Sequence, residues 1–162
     1  MQAKTSPEIG GMGHSVRRKE DLRFIQGKGT FVDDVHLPGM VYGQMVRSPY
    51  AHARITAIRT EEAKKVPGVL AVITGEDLAK ANLSWMPTLF FDKQMVLATG
   101  KVLFQSQEVA FVVAEDRYTA ADAAEMVEVD YEELPVLVDP KRALDADAPI
   151  LREDREEKSN HI

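Results

Sequence analysis

The amino-acid sequence predicts an α+β domain in which a mixed sheet carries a few short helices. Residues 109–114 form an unbroken apolar run of strand length, and a run without alternation is typical of a strand covered on both faces. Over residues 127–133, apolar and acidic side chains alternate, which indicates a strand with one solvent-exposed face. The alanine-rich residues 118–126 between them have helical spacing. The sequence therefore predicts a strand, helix, strand unit at the centre of the domain.

Length and composition fit one soluble domain. The chain has 162 residues, of which 44% are hydrophobic and 28% are charged, and a chain of about 100 to 200 residues commonly forms one domain with its own core. The formal net charge is −6, and the 20 lysines and arginines are spread along the chain without a basic stripe. The sequence therefore predicts no nucleic-acid binding.

The sequence also excludes several kinds of chemistry. It contains no cysteine, which excludes disulfides, cysteine-ligated iron–sulfur clusters and thiol nucleophiles within this chain. No apolar run approaches the roughly 18 residues of a membrane span, and no apolar segment of the secretory type lies near Met1. We therefore expect no membrane span and a cytoplasmic location.

The first residues are expected to form a flexible N-terminal arm over residues 1–15. Gly10, Gly11 and Gly13 precede the basic residues 17–19, and such a segment could form a backbone nest for an anion. No helix signal follows the glycines at once, however, and glycine provides flexibility as often as it provides a binding site. An extended arm is therefore favoured over an anion site.

The middle of the chain predicts a second strand, helix, strand unit. Strands are expected over residues 41–47 and 53–59. Pro49 separates them because it cannot donate a ladder hydrogen bond, and the two strands could pair as a hairpin. The second of these strands leads into a helix over residues 61–66 and a strand over residues 69–73. Because this unit has the same pattern as the first, an internal repeat is an open alternative.

Short polar residues are placed to begin the helices. Asp116 is expected to cap the helix over residues 118–126, and Thr119 with Asp122 is an alternative capping pair. The same reasoning predicts further caps at Thr60, at Thr74 with Asp77, and at Asp139 before Pro140, which opens a last short helix through Leu144.

Residues 82–99 have neither a helical nor a strand period. They contain methionine and aromatic side chains of the kind that anchor protein interfaces, namely Trp85, Met86, Leu89, Phe90 and Phe91. The alternative is that these side chains fill the domain's own core. We expect Trp85 or Phe90 to be exposed, and an exposed surface of this kind would make the chain prone to self-association.

The histidines and serines do not have the spacing of a catalytic or metal site. His14, His36, His52 and His161 lack the spacing of metal ligands and are expected to be solvated or structural. Ser48 lies close to His52 in sequence, but a nucleophile also needs a group that orients its base, and this segment offers only loop residues.

Acidic residues cluster around the last predicted strand. A carboxylate site or a docking patch for a partner is one interpretation, but the strand alternation already explains these residues as a solvated face: Glu125, Glu128, Asp130, Glu132 and Glu133. We therefore predict no catalytic residue, no cofactor-binding residue and no metal ligand in this chain.

Three long phrases of the sequence resemble the α/β hammerhead domain of the xanthine dehydrogenase and aldehyde oxidase superfamily. They are GKGTFVDDVHLPGMVYGQMVRSPYAHARI at residues 27–55, PGVLAVITGEDL at residues 67–78, and EVAFVVAEDRYTAADAAEMVEVDYEELPVLVDP at residues 108–140. In that superfamily the domain opens the large, molybdopterin-binding subunit. The resemblance implies the α/β hammerhead arrangement, with the domain at residues 16–146 and a polar tail at residues 147–162 that leads to downstream domains.

Shorter phrases resemble the carbon monoxide dehydrogenase family within this superfamily. They are MPTL at residues 86–89, KVLFQSQEVAFVVA at residues 101–114, and LRED at residues 151–154. Most of the superfamily has glycine where this chain has Ser106, whereas the members most similar to it have a small polar residue there. Such a residue tolerates a turn with positive φ better than a bulky one.

The resemblance implies a parent enzyme that oxidises carbon monoxide with water to carbon dioxide. Its cofactors would be molybdopterin cytosine dinucleotide with molybdenum and copper, and electrons would pass to iron–sulfur clusters and FAD on an iron–sulfur subunit and a flavin subunit. The residues that hold these groups lie downstream in the family, and this chain has none of them. The chain is thus expected to be a scaffolding part of a longer subunit, packed against its remaining domains, and not a catalyst alone.

Two alternatives remain at this point. The parent could be the large subunit of an aldehyde or N-heterocycle hydroxylase, or the chain could be a free-standing, non-catalytic interaction module. The sequence after Ile162 would separate them, because a cysteine-containing loop would indicate carbon monoxide, other loops would indicate hydroxylation, and a stop codon would indicate the module.

Overall fold

The structure is a computed structural model that describes residues 18–87, 93–153 and 160. It divides into two compact units, Met1–Gly39 and Met40–Ile162. The expected flexible arm over residues 1–15 lies outside the described residues. The division of the chain into residues 1–15, 16–146 and 147–162 therefore stays a prediction.

In the first unit, residues 18–39 are described and form two short helical turns. They are helix α1 (Asp21–Ile25) and a 3-10 helix (Val32–Asp34), and neither has a buried residue. The rings of Phe24 and Phe31 stack with their centroids 5.4 Å apart, and the Phe31 N–H donates to Asp34 Oδ2 at 2.9 Å. Local contacts of this kind shape the unit, which leaves most of its apolar side chains exposed.

The described residues of the second unit form six strands, three α-helices and a 3-10 helix. In chain order they are β1 (Tyr42–Arg47), β2 (Ala53–Arg59), α2 (Glu61–Lys65), β3 (Val69–Thr74), α3 (Gly75–Lys80), β4 (Lys101–Val102), β5 (Glu108–Ala114), α4 (Arg117–Glu125), β6 (Glu128–Glu133) and the 3-10 helix Pro140–Leu144. The α+β class with short helices is confirmed.

The strands form two three-stranded sheets instead of the single mixed sheet that the sequence predicts. One sheet has the order β1-β5-β3 and the other has the order β4-β2-β6, and every pairing between these strands is antiparallel. The expected hairpin of β1 with β2 is wrong, because β1 pairs with β5 and β2 pairs with β6. Each strand, helix, strand unit contributes one strand to each sheet, and the two units pair reciprocally, β2 with β6 and β3 with β5.

The core lies between the first sheet and the helices α2 and α4, which pack against its strands. Its fully buried members are small side chains, namely Ala63, Val72, Ala110, Val112, Ala123 and Val127. A second buried cluster, Ala53, Ala98, Val102 and Val109, lies against the second sheet. Strand β5 contributes residues to both clusters, which confirms the prediction of a strand covered on both faces.

The helix caps are partly as predicted. Asp116 accepts from the N–H groups of Tyr118 and Thr119, and the Thr119 hydroxyl also donates to Asp116 at 2.5 Å. Helix α4 therefore begins through Asp116, and the alternative pair of Thr119 with Asp122 is wrong. At α2, Thr60 stands at the N-cap position but its side chain makes no capping hydrogen bond.

The remaining two predicted caps are confirmed. Asp77 Oδ2 accepts from the backbone N–H of Thr74 at 3.0 Å and from its hydroxyl at 2.8 Å. Asp139 accepts from the N–H of Lys141 at 2.9 Å, at the start of the 3-10 helix that Pro140 opens.

Candidate functional site

The segment that contains Ser48 and His52 has a structural role. Both side chains are buried, and the Ser48 hydroxyl exchanges hydrogen bonds with the backbone of Tyr50. His52 Nδ1 lies 2.6 Å from the carbonyl oxygen of Pro135, which ties the end of β6 to the start of β2. The Ser48 hydroxyl is therefore bonded within its own turn and does not donate to His52, whose buried Nε2 has no hydrogen-bond partner among the described residues.

Of the other histidines, His36 alone lies within the described residues. His36 is exposed, and His14 and His161 lie outside the described residues. Within residues 18–87 and 93–153, no three histidine, aspartate or glutamate side chains converge to hold a metal ion.

The acidic face of β6 is paired with arginines of β2. The Arg59 guanidinium contacts Asp130 at 2.5 and 2.8 Å and Glu128 at 2.8 Å, and Arg54 lies 3.3 Å from Glu132. The hydrogen bond from Arg59 holds the pKa of Asp130 below its usual value. This cross-strand ladder leaves these carboxylates charge-compensated and solvated, which favours the solvated-face interpretation over a docking patch.

The strongest candidate for a binding surface lies where residues 84–86 run beside residues 94–96. Trp85 and Met95 form an antiparallel bridge, and backbone bonds join Met86 to Gln94 at 2.8 Å and Val96 to Ser84 at 2.9 Å. Trp85 and Met86 are each 42% exposed. The prediction that Trp85 is exposed is therefore confirmed, while Leu89, Phe90 and Phe91 lie outside the described residues.

We call the paired residues 84–86 and 94–96 the Trp85 ribbon. A pocket of about 390 Å³ opens beside this ribbon. Three separate segments line it. The first contributes Trp85, Lys93, Gln94, Met95 and Thr99, the second, which is β4 and the turn after it, contributes Lys101, Leu103, Phe104 and Gln107, and the third contributes Leu151, Arg152 and Glu153. A pocket of this size, mainly apolar with a few charged groups, has the composition of a binding site.

The turn that forms one side of the pocket is fixed by hydrogen bonds. Ser106 has φ 67, in the left-handed region, which confirms the expectation of a positive-φ turn there. Its N–H donates to the Ser48 carbonyl at 2.9 Å, and its carbonyl accepts from Arg47 at 2.9 Å. The buried Gln107 side chain accepts from the N–H of Leu103 at 2.6 Å. This side of the pocket is therefore held in shape without a ligand.

The pocket was not predicted from the sequence. Residues 101–107 and 151–153 were interpreted as parts of phrases that resemble a family, and residues 151–153 also as part of a polar tail. The signal that the sequence offered was Lys101, a charged residue directly before the apolar residues 102–104. This pattern indicates an ammonium group at the edge of a hydrophobic core.

In the part of the chain that the structure describes, no helix is long and apolar enough to cross a membrane. The comparisons with known proteins give the family. Residues 26–135 match the model described as aldehyde oxidase and xanthine dehydrogenase, a/b hammerhead domain. The carbon monoxide dehydrogenase large chain of Afipia carboxidovorans is 62% identical over 156 residues, which are 96% of this chain and 19% of that relative.

Solved structures agree with this match. A Cu,Mo-CO dehydrogenase in its carbon monoxide reduced state has a TM-score of 0.80 and 65% identity, over 89% of this chain and 18% of that one. Quinoline 2-oxidoreductase from Pseudomonas putida 86 has a TM-score of 0.70 and 40% identity, over 84% of this chain and 18% of that one.

This chain thus spans about a fifth of the length of the relatives it matches. Because the family model covers more than half of the chain, the chain belongs to the aldehyde oxidase and xanthine dehydrogenase family, through its α/β hammerhead domain.

Proposed function

We propose that this chain is the hammerhead part of the large subunit of a molybdenum-containing carbon monoxide dehydrogenase, and that it acts there as a non-catalytic scaffold. The observation that supports this most strongly is the 62% identity, over 96% of the chain, to a carbon monoxide dehydrogenase large chain. The parent enzyme would oxidise carbon monoxide with water to carbon dioxide. A cytoplasmic location is part of this proposal.

The geometry supports a scaffold because the chain exposes apolar surface that a neighbour could cover. In the first unit, apolar side chains such as Ile25 and Val32 are almost fully exposed. In the second unit, Trp85, Met86 and Phe104 are exposed around the pocket. Surfaces of this kind commonly mark interfaces. The proposed neighbours are the remaining domains of the large subunit, an iron–sulfur subunit and a flavin subunit.

The residues described here do not fit the metal centre of such an enzyme. The chain has no cysteine, and the described histidines and carboxylates do not converge in threes. In the proposed parent enzyme, molybdopterin cytosine dinucleotide, molybdenum and copper would be held by other parts of the large subunit, and iron–sulfur clusters and FAD by partner subunits. We assign no step of the reaction to any residue here.

A second candidate is the large subunit of an aldehyde or N-heterocycle hydroxylase. It is supported by the 40% identity to quinoline 2-oxidoreductase. The lower identity makes it the weaker candidate. A free-standing interaction module is a third, and it would keep the fold without any metal-dependent parent.

The test is purification of the native protein that contains this chain, through an affinity tag, followed by metal analysis and dye-reduction assays with carbon monoxide, quinoline and an aldehyde. We expect molybdenum and copper in equal amounts and dye reduction with carbon monoxide. Molybdenum without copper, with activity on quinoline or the aldehyde, would establish the second candidate. A purified protein without molybdenum would establish the module.

A further inference from the structure

Three segments of the chain form the pocket beside Trp85. Trp85 and residues 93–95 line one side, and residues from 101–107 and 151–153 line the others. These segments are far apart in sequence but meet at one place. Their convergence brings side chains from distant parts of the sequence around one cavity.

A buried ammonium group sets the chemistry of that occupant. The Lys101 side chain is 17% exposed, and its Nζ is enclosed without a hydrogen-bond partner among the described residues. Glu153 Oε2 lies 3.4 Å away, but the Glu153 side chain is 64% exposed and makes no hydrogen bond to it. Because an ammonium has three donors and a buried polar group is rarely left unbonded, the pocket is suited to an incoming carboxylate.

The other lining residues add an apolar and a basic character. Trp85, Leu103 and Phe104 present apolar surface, while Lys93 adds a second ammonium group to the lining. A matching ligand therefore combines a negative group with an apolar one. An acidic residue next to an aromatic or aliphatic residue in a polypeptide has both.

We propose that this pocket receives a segment from the rest of the large subunit, which presents a carboxylate to Lys101 and an apolar side chain to Trp85 and Phe104. This inference rests on the proposed function. The source is argued from length, since about four fifths of the Afipia carboxidovorans large chain lies outside the match.

The test is a titration of this 162-residue chain with overlapping synthetic peptides that together span the unmatched part of the Afipia carboxidovorans large chain. Trp85 is the single tryptophan, so its emission reports on the pocket directly. We expect a blue shift that saturates with a peptide in which aspartate or glutamate adjoins an apolar residue. Changing that acidic residue to its amide should weaken binding about tenfold or more.

Variants of the chain connect the binding to Lys101. Lys101→Met should weaken binding of the acidic peptide about as much as the change of its acidic residue to the amide does. It should not further weaken binding of the amide peptide. Lys101→Arg should restore part of the preference for the acidic peptide. Lys65→Met, which removes an exposed lysine of α2, is the matched control and should leave binding unchanged.

Several results would overturn the proposal. One is that no peptide shifts the Trp85 emission, and another is that the acidic and amide peptides bind equally. A third is that hexanoate binds as tightly as the best peptide, which would assign the pocket to a small free acid. Self-association that Lys101→Met abolishes would assign it to a second copy. Because these measurements use no activity, they can fail while the carbon monoxide assay succeeds, and the reverse also holds.

Discussion

The ring of Phe111 on β5 lies against Gly43 on β1 so closely that a Cβ atom at Gly43 would stand 2.5 Å from Phe111 Cε2. The two residues are not direct partners, because Gly43 pairs with Val113 and Met45 pairs with Phe111. The ring instead reaches its diagonal neighbour across the antiparallel pair. Glycine at residue 43 is therefore required by a side-chain contact and not by the backbone.

We predict that Gly43→Ala destabilises the chain by about 1 to 3 kcal/mol, because the added methyl group overpacks the contact with Phe111. Urea denaturation followed by circular dichroism would measure the change. The control is Gly43→Ala combined with Phe111→Leu, which removes the ring, so the double variant should lose less stability than the two single variants added together. Strict additivity would contradict the contact.

We predict that Val112→Asp abolishes the cooperative thermal transition of the chain. Val112 is fully buried between β1 and β3, and an unpaired buried carboxylate costs several kcal/mol, compared with a total stability of about 5 to 15 kcal/mol. The measurement is a thermal melt by circular dichroism.

The matched control is Val138→Asp, because Val138 is 84% exposed. It should melt like the wild type. If Val112→Asp also melts like the wild type, β5 is not the central strand. If the wild type itself shows no sigmoidal transition, the chain depends on its parent subunit to fold.

The local elements around these residues could be predicted from the sequence because their signals are local. The apolar run of β5, the alternation of β6 and the cap at Asp116 each lie within a few residues. The pairing of β5 between β1 and β3 could not be predicted, since it joins Gln44 to Val112 and Val72 to Val112 across long stretches of chain. The hairpin of β1 with β2 was wrong because it was inferred from their proximity in sequence. In the structure, the distant strands β5 and β6 pair with β1 and β2 instead.

We predict that Ser106→Gly is tolerated or slightly stabilising. Ser106→Val should make the chain less stable than the glycine variant by about 1 to 2 kcal/mol. The reason is the φ of 67 at Ser106, a conformation that glycine adopts freely and that a β-branched residue resists. Thermal melts of the three proteins would measure the order of stability. A valine variant as stable as the glycine variant would show that the turn is not constrained at this residue.

We predict that Asp116 makes stability depend on pH in the acid range. The Thr119 hydroxyl and the N–H groups of Thr119 and Tyr118 hold the pKa of Asp116 below 3.8, its usual value. A lowered pKa in the folded state means that the contribution is complete above the unfolded value and is lost as pH falls through the folded one. Melting temperatures should therefore decline below pH 3.8.

The matched variant is Asp116→Asn, because asparagine also caps helices but does not titrate. Near neutral pH it should melt close to the wild type, and its melting temperature should fall less steeply in acid. Identical slopes for the two proteins below pH 3.8 would contradict the low pKa assigned to Asp116.

The binding surface could be predicted only in part. Composition alone indicated that Trp85 and Met86 lie on an exposed surface, because a segment without helical or strand period gives its apolar residues no inward direction. The pocket required residues 101–107 and 151–153 to meet the Trp85 ribbon. No local pattern encodes that meeting, since it follows from how β4 and the end of the chain are placed on the second unit.

The exposed ribbon gives the last prediction, which is that acrylamide quenches Trp85 and that the chain self-associates as its concentration rises. Trp85 and Met86 are each 42% exposed, and Phe104 adds to the same surface. Met86→Lys should suppress the concentration dependence in sedimentation, because a charge in an apolar contact is costly to bury. Tyr118→Lys, on the outer face of α4 where the side chain is 76% exposed, is the control and should not. A tryptophan shielded from acrylamide, in a chain that stays monomeric at all concentrations, would return the ribbon to the core. The interface would then have to be sought on the acidic face of β6.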